Sequence, residues 1–173
     1  MQNAVDIFHP LLGQLVWSVR SDESSVTMEF GTPFLSVREP IVASSEASTE
    51  VRRILARRRA FVQGEWHFWL RDCEWEISTA SYSITRRDVG NVVADCFQEL
   101  DGQRLQSVEN GRQPDSLSFG FDLGAELQIW PLVGPEDDRW SLHSRDGNVV
   151  VCQANGGLVF EKGAPSLVGR SES

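Results

Sequence analysis

The sequence predicts a mainly β, α+β protein: about ten antiparallel strands from two similar meanders, forming a sandwich or a partly closed barrel. Three observations predict it. Short segments alternate apolar and polar residues with the period of half-buried strands, Leu15, Trp17 and Val19 being the first. Tight-turn signals such as Asp146-Gly147-Asn148 separate them. Finally, Trp66–Ser78 (WHFWLRDCEWEIS) is echoed by Trp140–Cys152 (WSLHSRDGNVVVC): each has Trp, an apolar residue two positions on, and then Arg-Asp.

Met1–Leu12 reads as a lead-in that Pro10 keeps from being a regular helix. Gln14–Arg20 is the first predicted strand and Val26–Phe30 the second, with Val26, Met28 and Phe30 on one face and Thr27 and Glu29 on the other. After Gly31-Thr32-Pro33-Phe34 the pattern resumes at Leu35 and Val37. A local hairpin pairing Phe30 with Leu35 and Met28 with Val37 sets apolar against apolar and is the expected register. Pro40–Arg59 interrupts with a short helix over about 49–58, capped by Ser48 or Thr49, with Val51, Ile54 and Leu55 on one face. Glu46 and Glu50 stand at its start and Arg57, Arg58 and Arg59 at its end, the order that complements the helix dipole.

Gln63-Gly64-Glu65 is a hairpin-turn signal. Trp66–Arg71 is then expected to turn at Asp72-Cys73 and return as Glu74–Ser78. The main helix is predicted over about 85–100, where Val89, Val92, Val93, Cys96, Phe97 and Leu100 form one apolar stripe for a sheet to cover, and Gly102 ends it. The second meander runs through Gln103–Glu109, Leu117–Phe121, a turn at Asp122–Ala125, and Glu126–Trp130. A charged loop, Pro131–Arg139, leads to the hairpin Trp140–Ser144 with Val149–Cys152, and Leu158–Glu161 is the last strand.

Residues 1–161 thus read as one compact domain of two repeat-like units (13–82 and 102–160) joined by the main helix, with 162–173 a mobile tail. Further echoes support the pairing of units: Gly13–Arg20 with Gly102–Glu109, and Val26–Phe30 with Leu117–Phe121. A chain of 173 residues buries roughly 70% of its unfolded surface and needs no staples.

The net charge of −9, from 25 acidic and 16 basic side chains, repels phosphate backbones and argues against nucleic-acid binding. A protein partner, if there is one, is expected to be basic, and a homo-oligomer stays open. No window approaches the roughly 18 apolar residues of a membrane span. The three cysteines are odd in number and far apart, and the first residues lack the basic start and apolar run of a secretory leader. Free thiols in a reducing cytoplasm are the expectation.

For chemistry the sequence offers little. His9, His67 and His143 are scattered without metal-ligand spacing, and His67 and His143 occupy non-matching positions in the two tryptophan strands, so they read as unrelated side chains. Cys96 belongs to the helix stripe, and Cys73 and Cys152 have no neighbouring His to activate them. No catalytic residue, metal or cofactor is assigned. Strand carboxylates Glu29, Glu74 and Glu76 are the one enzymatic option, and alternation turns Glu29 away from Phe30, toward solvent. The binding candidates are Arg71, Asp72, Arg145 and Asp146 at the two Arg-Asp corners, with Trp69 and the acidic loop Glu136, Asp137 and Asp138.

The strings REPIVAS, VRRILARRRAFVQGEWHFWLRDCEWEIS and FGFDLGAELQIWP, with DRWSLHSRDGNVV, resemble segments of a group of small uncharacterised bacterial proteins over about residues 13–160. The resemblance implies a bacterial origin and a single compact unit, with no activity, ligand or site residue to carry over. The leading expectation is a non-catalytic binding protein, such as an immunity-like or inhibitory partner of a basic protein. The alternative is a small-molecule carrier with a tryptophan-lined cavity, and a carboxylate enzyme comes third.

Overall fold

Period-two alternation builds thirteen strands, against about ten expected, in a computed structural model that describes residues 3–22, 25–88, 90–132, 134 and 137–162. The first half holds β1 (Val16–Ser21), β2 (Val26–Phe30), β3 (Phe34–Arg38), β4 (Arg59–Gln63), β5 (Trp66–Leu70), β6 (Cys73–Ser78) and β7 (Ser83–Thr85). The second holds β8 (Leu105–Asn110), β9 (Leu117–Phe121), β10 (Glu126–Pro131), β11 (Trp140–Ser144), β12 (Asn148–Cys152) and β13 (Leu158–Lys162). Helices are short: α1 (Ala4–Ile7), a 3-10 turn at His9–Leu11, α2 (Thr49–Leu55) and α3 (Asn91–Gln98).

The strands form three antiparallel sheets, ordered β1-β2-β5-β11-β12-β13, β7-β6-β10-β9-β8 and β3-β4, and none closes into a barrel. In the six-stranded sheet the register lines up Val26, Leu70, Trp140, Cys152 and Leu158 in one row and Met28, Phe68, Leu142, Val150 and Phe160 in the next. This apolar face meets the five-stranded sheet, with Phe68 and Phe119 ring centroids 5.6 Å apart. Between them sits Phe8, fully buried, with Phe68, Phe119 and Trp140 all 5.0–5.1 Å away. The predicted lead-in is therefore part of the core: Pro10 does prevent a long helix, yet α1 and the 3-10 turn carry Phe8 and Leu11 inward. One corner of the sandwich is laced by backbone bonds, Gly13 N to Leu105 O at 2.7 Å and Val16 N to Gln103 O at 2.8 Å.

The main helix does lay its stripe on the sheets. Cys96, Phe97 and Leu100 are buried, and Phe97 packs edge-on against Trp75 at 4.9 Å. It is shorter than 85–100 because Ser83–Thr85 pairs with β6 instead and Gly90, at φ +86°, breaks the chain direction just before Asn91. Val89 lies outside the described residues, as does 163–173, nearly all of the predicted tail.

Two expected hairpins do not form. β2 pairs with β1 and β5, and β3 pairs with β4. Phe30 faces Trp66 and Phe34 faces Gln63, so Gly31-Thr32-Pro33 opposes only Gly64-Glu65. β2–β3 and β4–β5 are thus one long two-stranded ribbon with a bulged bend, where three residues face two. Apolar-to-apolar matching cannot distinguish the local partner from this distant one. The Gln63-Gly64-Glu65 turn signal is likewise a bend within the ribbon. Its tip carries α2, capped by Ser48 Oγ accepting from Val51 N at 3.2 Å. That helix ends at Leu55, because Arg58 reaches back to Glu39 at 2.8 Å and Arg59 enters β4.

The second missing hairpin is β5–β6. The chain crosses from one sheet to the other at Arg71-Asp72, whereas Arg145-Asp146 is a true hairpin turn between β11 and β12. The two echoing segments therefore trace different paths and their Arg-Asp corners are not equivalent.

Candidate functional site

The outer face of the six-stranded sheet carries the polar row that alternation demands, and the register makes it specific. Glu29 on β2 faces His67 on β5, which faces His143 on β11. Glu29 does turn away from Phe30, but solvent does not reach it. The ribbon bend folds over this face and leaves Glu29 only 9% exposed.

Both carboxylate oxygens of Glu29 are used. Gly64 N–H donates to Oε2 at 2.9 Å, and Oε1 lies 2.8 Å from His67 Nδ1. An ionised Glu29 only accepts, so His67 donates from Nδ1 and its Nε2 is the uncommitted ring nitrogen. The bend permits this approach because residue 64 is glycine: a Cβ there would stand 2.6 Å from Phe30 O.

The His67 and His143 rings lie 5.8 Å apart at 65°. His143 Nε2 is 3.0 Å from the hydroxyl of Ser141, a buried residue two positions along the same face of β11. Burial pushes the pKa of His143 below its ordinary value; the charges of His67 and Arg71 push the same way, and Glu29 opposes them. His143 is therefore held as a neutral imidazole at neutral pH, while His67 sits against a carboxylate.

Above this row the β3–β4 ribbon leaves a cleft of about 540 Å³. Its walls are apolar, with Phe34, Val37 and Phe61 from the ribbon and Val149 from the sheet, and its floor includes His67 and His143. Arg145 closes one end. Its backbone N–H donates to Glu65 O at 2.8 Å, tying the β11–β12 turn to the ribbon bend, and its guanidinium stacks on Phe34 with Cζ 4.7 Å from the ring centre. The arrangement can hold an apolar body and offer it a few fixed polar groups. Among the described residues no group of three or more His, Cys, Asp or Glu side chains is placed to hold a metal ion.

Of the candidates read from sequence, Arg145 reaches the cleft. Trp69 and Arg71 lie on the same outer face as the histidines, stacked at 3.7 Å, and Trp69 Nε1 and Arg71 Nε are buried without a protein partner. Asp72 is at the crossover, 4.0 Å from Arg86. Asp146 closes the β11–β12 turn by accepting from Ser144 Oγ and from Asn148 Nδ2. The Ser144 bond holds its carboxyl below the usual range. Asp137 and Asp138 precede β11 and do not line the cleft, and Glu136 lies outside the described residues. Glu74 and Glu76 are on the other sheet and cannot converge with Glu29. No tryptophan lines the cleft; Trp75 and Trp140 pack the core.

The histidine pair is what the sequence reading missed. Antiparallel neighbours match in reverse order, so the second residue of Trp66–Leu70 meets the fourth of Trp140–Ser144. The non-matching positions that counted against a pair are those that create one.

Among the described residues no helix is long and apolar enough to cross a membrane. No family model matches the chain, and neither does any curated protein or solved structure.

Proposed function

We propose that the protein is a non-catalytic binding protein whose site is the ribbon-roofed cleft, and that it takes a small organic molecule with an apolar body. One observation carries this reading: an apolar-walled space of about 540 Å³ converges on two histidines held by Glu29 and Ser141. That volume falls within the ~300–1,000 Å³ of ordinary ligand pockets, where few polar groups fix orientation within apolar walls. Ser141 holds His143 from the side and does not line the cleft. The test is ¹H–¹³C spectroscopy of the His67 and His143 ring signals while a mixed fragment set is added. Both rings are expected to shift with the same subset of compounds. Unmoved rings throughout the set would remove the cleft as a binding site.

A second reading, a cytoplasmic protein that docks a basic protein partner, is favoured by the opposite face of the ribbon. Leu35 and Val62 are cross-strand neighbours there, 59% and 57% exposed. Capture from the producing cells with the parent chain and with a Leu35→Asp, Val62→Asp variant separates the two readings. A partner retained equally by both proteins would dismiss this face.

A further inference from the structure

The charge around the cleft goes against the charge of the chain. The whole protein carries −9, yet the cleft is lined by Arg38, Arg145, His67 and His143. Among the described residues the only acidic side chain on its wall is Glu39, already engaged by Arg58, whose Nε lies 3.0 and 2.9 Å from its two oxygens and whose Nη2 lies 2.8 Å away. Neither Arg38 nor Arg145 has a carboxylate within ion-pair distance among the described residues. Arg38 stands directly across the ribbon from Arg59, so two like charges face each other, and among the described residues neither has a carboxylate within ion-pair distance. Arg145 is held in place by Phe34 beneath its guanidinium and by its own backbone bond to Glu65. Glu29 is turned to His67 and Gly64 and is not within ion-pair distance of Arg145.

We propose that the cleft selects an organic carboxylate, with the head group between the Arg145 guanidinium and the imidazoles of His67 and His143 and the apolar body against Phe34, Val37 and Phe61. This rests on the cleft being the binding site. The guanidinium supplies a planar pair of donors that fits a carboxylate. His67 has its Nδ1 committed to Glu29, so the donors for the head group come from Arg145. A neutral ligand of the same shape leaves Arg145 without its counter-charge. Specificity between acid and amide should therefore be carried by one named residue.

The experiment uses 4-phenylbutyrate and its uncharged amide as matched probes, read by the ring signals of His67 and His143 in the parent chain and in Arg145→Gln. The acid is expected to shift both rings with a Kd about tenfold below that of the amide, the scale of one charge-assisted hydrogen bond. In Arg145→Gln the preference for the acid over the amide should disappear. Acid and amide binding equally to the parent chain would overturn the carboxylate assignment while leaving the cleft as the site. If neither probe moves a cleft signal at millimolar concentration, both the assignment and the cleft reading fall. An acid preference that survives Arg145→Gln overturns the placement of the head group.

Discussion

His67 and His143 face each other across adjacent antiparallel strands with their rings 5.8 Å apart, and only His67 has a carboxylate beside it. That asymmetry divides their roles. Glu29 fixes the His67 ring through Nδ1, whereas His143 rests on an uncharged hydroxyl and is kept neutral by burial and by the positive charges near it.

The His143 shift has a direct consequence for stability. Its folded-state pKa is depressed, so between that value and the ordinary value of about 6.5 the unfolded chain binds more protons than the folded one. Its contribution is therefore fully present above about pH 6.5 and is lost as pH falls through the lowered value. Denaturant midpoints should decline as pH drops from 7.5 to about 5, and His143→Gln should flatten that decline. Glu39 and Asp146, whose pKa values are also lowered, act only below about pH 4.5, so they leave this window clear. Identical slopes for parent and variant would contradict the assignment.

Replacing Glu29 tests the polar row itself. Glu29→Ala leaves Gly64 N–H and His67 Nδ1–H without their acceptors beneath the ribbon, at a cost of about 2–4 kcal/mol. Glu29→Gln keeps one acceptor oxygen and should cost less, about 1 kcal/mol. Urea unfolding measures both. Two variants within a few tenths of the parent would mean that Glu29 is solvated rather than engaged.

Gly64→Ala addresses the bend. The conflict is one of space, because the added methyl carbon would meet Phe30 O at 2.6 Å and Trp66 O at 3.1 Å, all backbone that cannot swing aside. A loss of about 2 kcal/mol or more is expected, together with shifted His67 ring signals as the bend lifts from Glu29. An alanine variant with parental stability and unmoved His67 would show that the ribbon has room there.

What could be read from the sequence depended on the range of the interaction. The β9–β10 and β11–β12 turns follow from local chemistry, with Gly124 at φ +90° and Gly147 at φ +84°, and both were legible. The β2–β5 and β3–β4 pairings join residues about twenty to forty-five positions apart, and the same apolar pattern fits a nearer partner equally well. Glu29 was placed on the correct face by alternation. Its burial came from a ribbon folding over that face, which no periodicity encodes. The site was hidden for this reason: each of its residues was visible, and their juxtaposition depended on long-range register.

The thiols should be inert in the native state. All three cysteines are free and buried, and burial pushes Cys73 up to about 12 and Cys96 up to about 11, with Cys152 raised as well. A disulfide reagent at pH 8 should label none of them quickly in the folded protein and all three after denaturation. A fast-reacting thiol in the native protein would show that one of these sites is open.

Phe8 is where sequence and core are most at odds, and so it makes the sharpest test of the packing. It lies in a segment that reads as a lead-in kept from a regular helix by Pro10, yet it is fully buried and touches both sheets, through Phe68 and Trp140 on one and Phe119 on the other. Phe8→Ala removes a ring from a space closed on all sides and should cost about 3–5 kcal/mol, a large share of the ~5–15 kcal/mol that holds a typical domain folded. At this chain length that lowers the thermal midpoint by about 6 °C or more. Phe8→Leu refills most of the volume and should lose less than half as much. Trp140 fluorescence reports the same event locally, because its ring is 5.1 Å from Phe8 and should become solvated when the aromatic cluster opens. An alanine variant that melts within a degree or two of the parent, with unchanged emission, would mean that the two sheets close on each other without this residue between them.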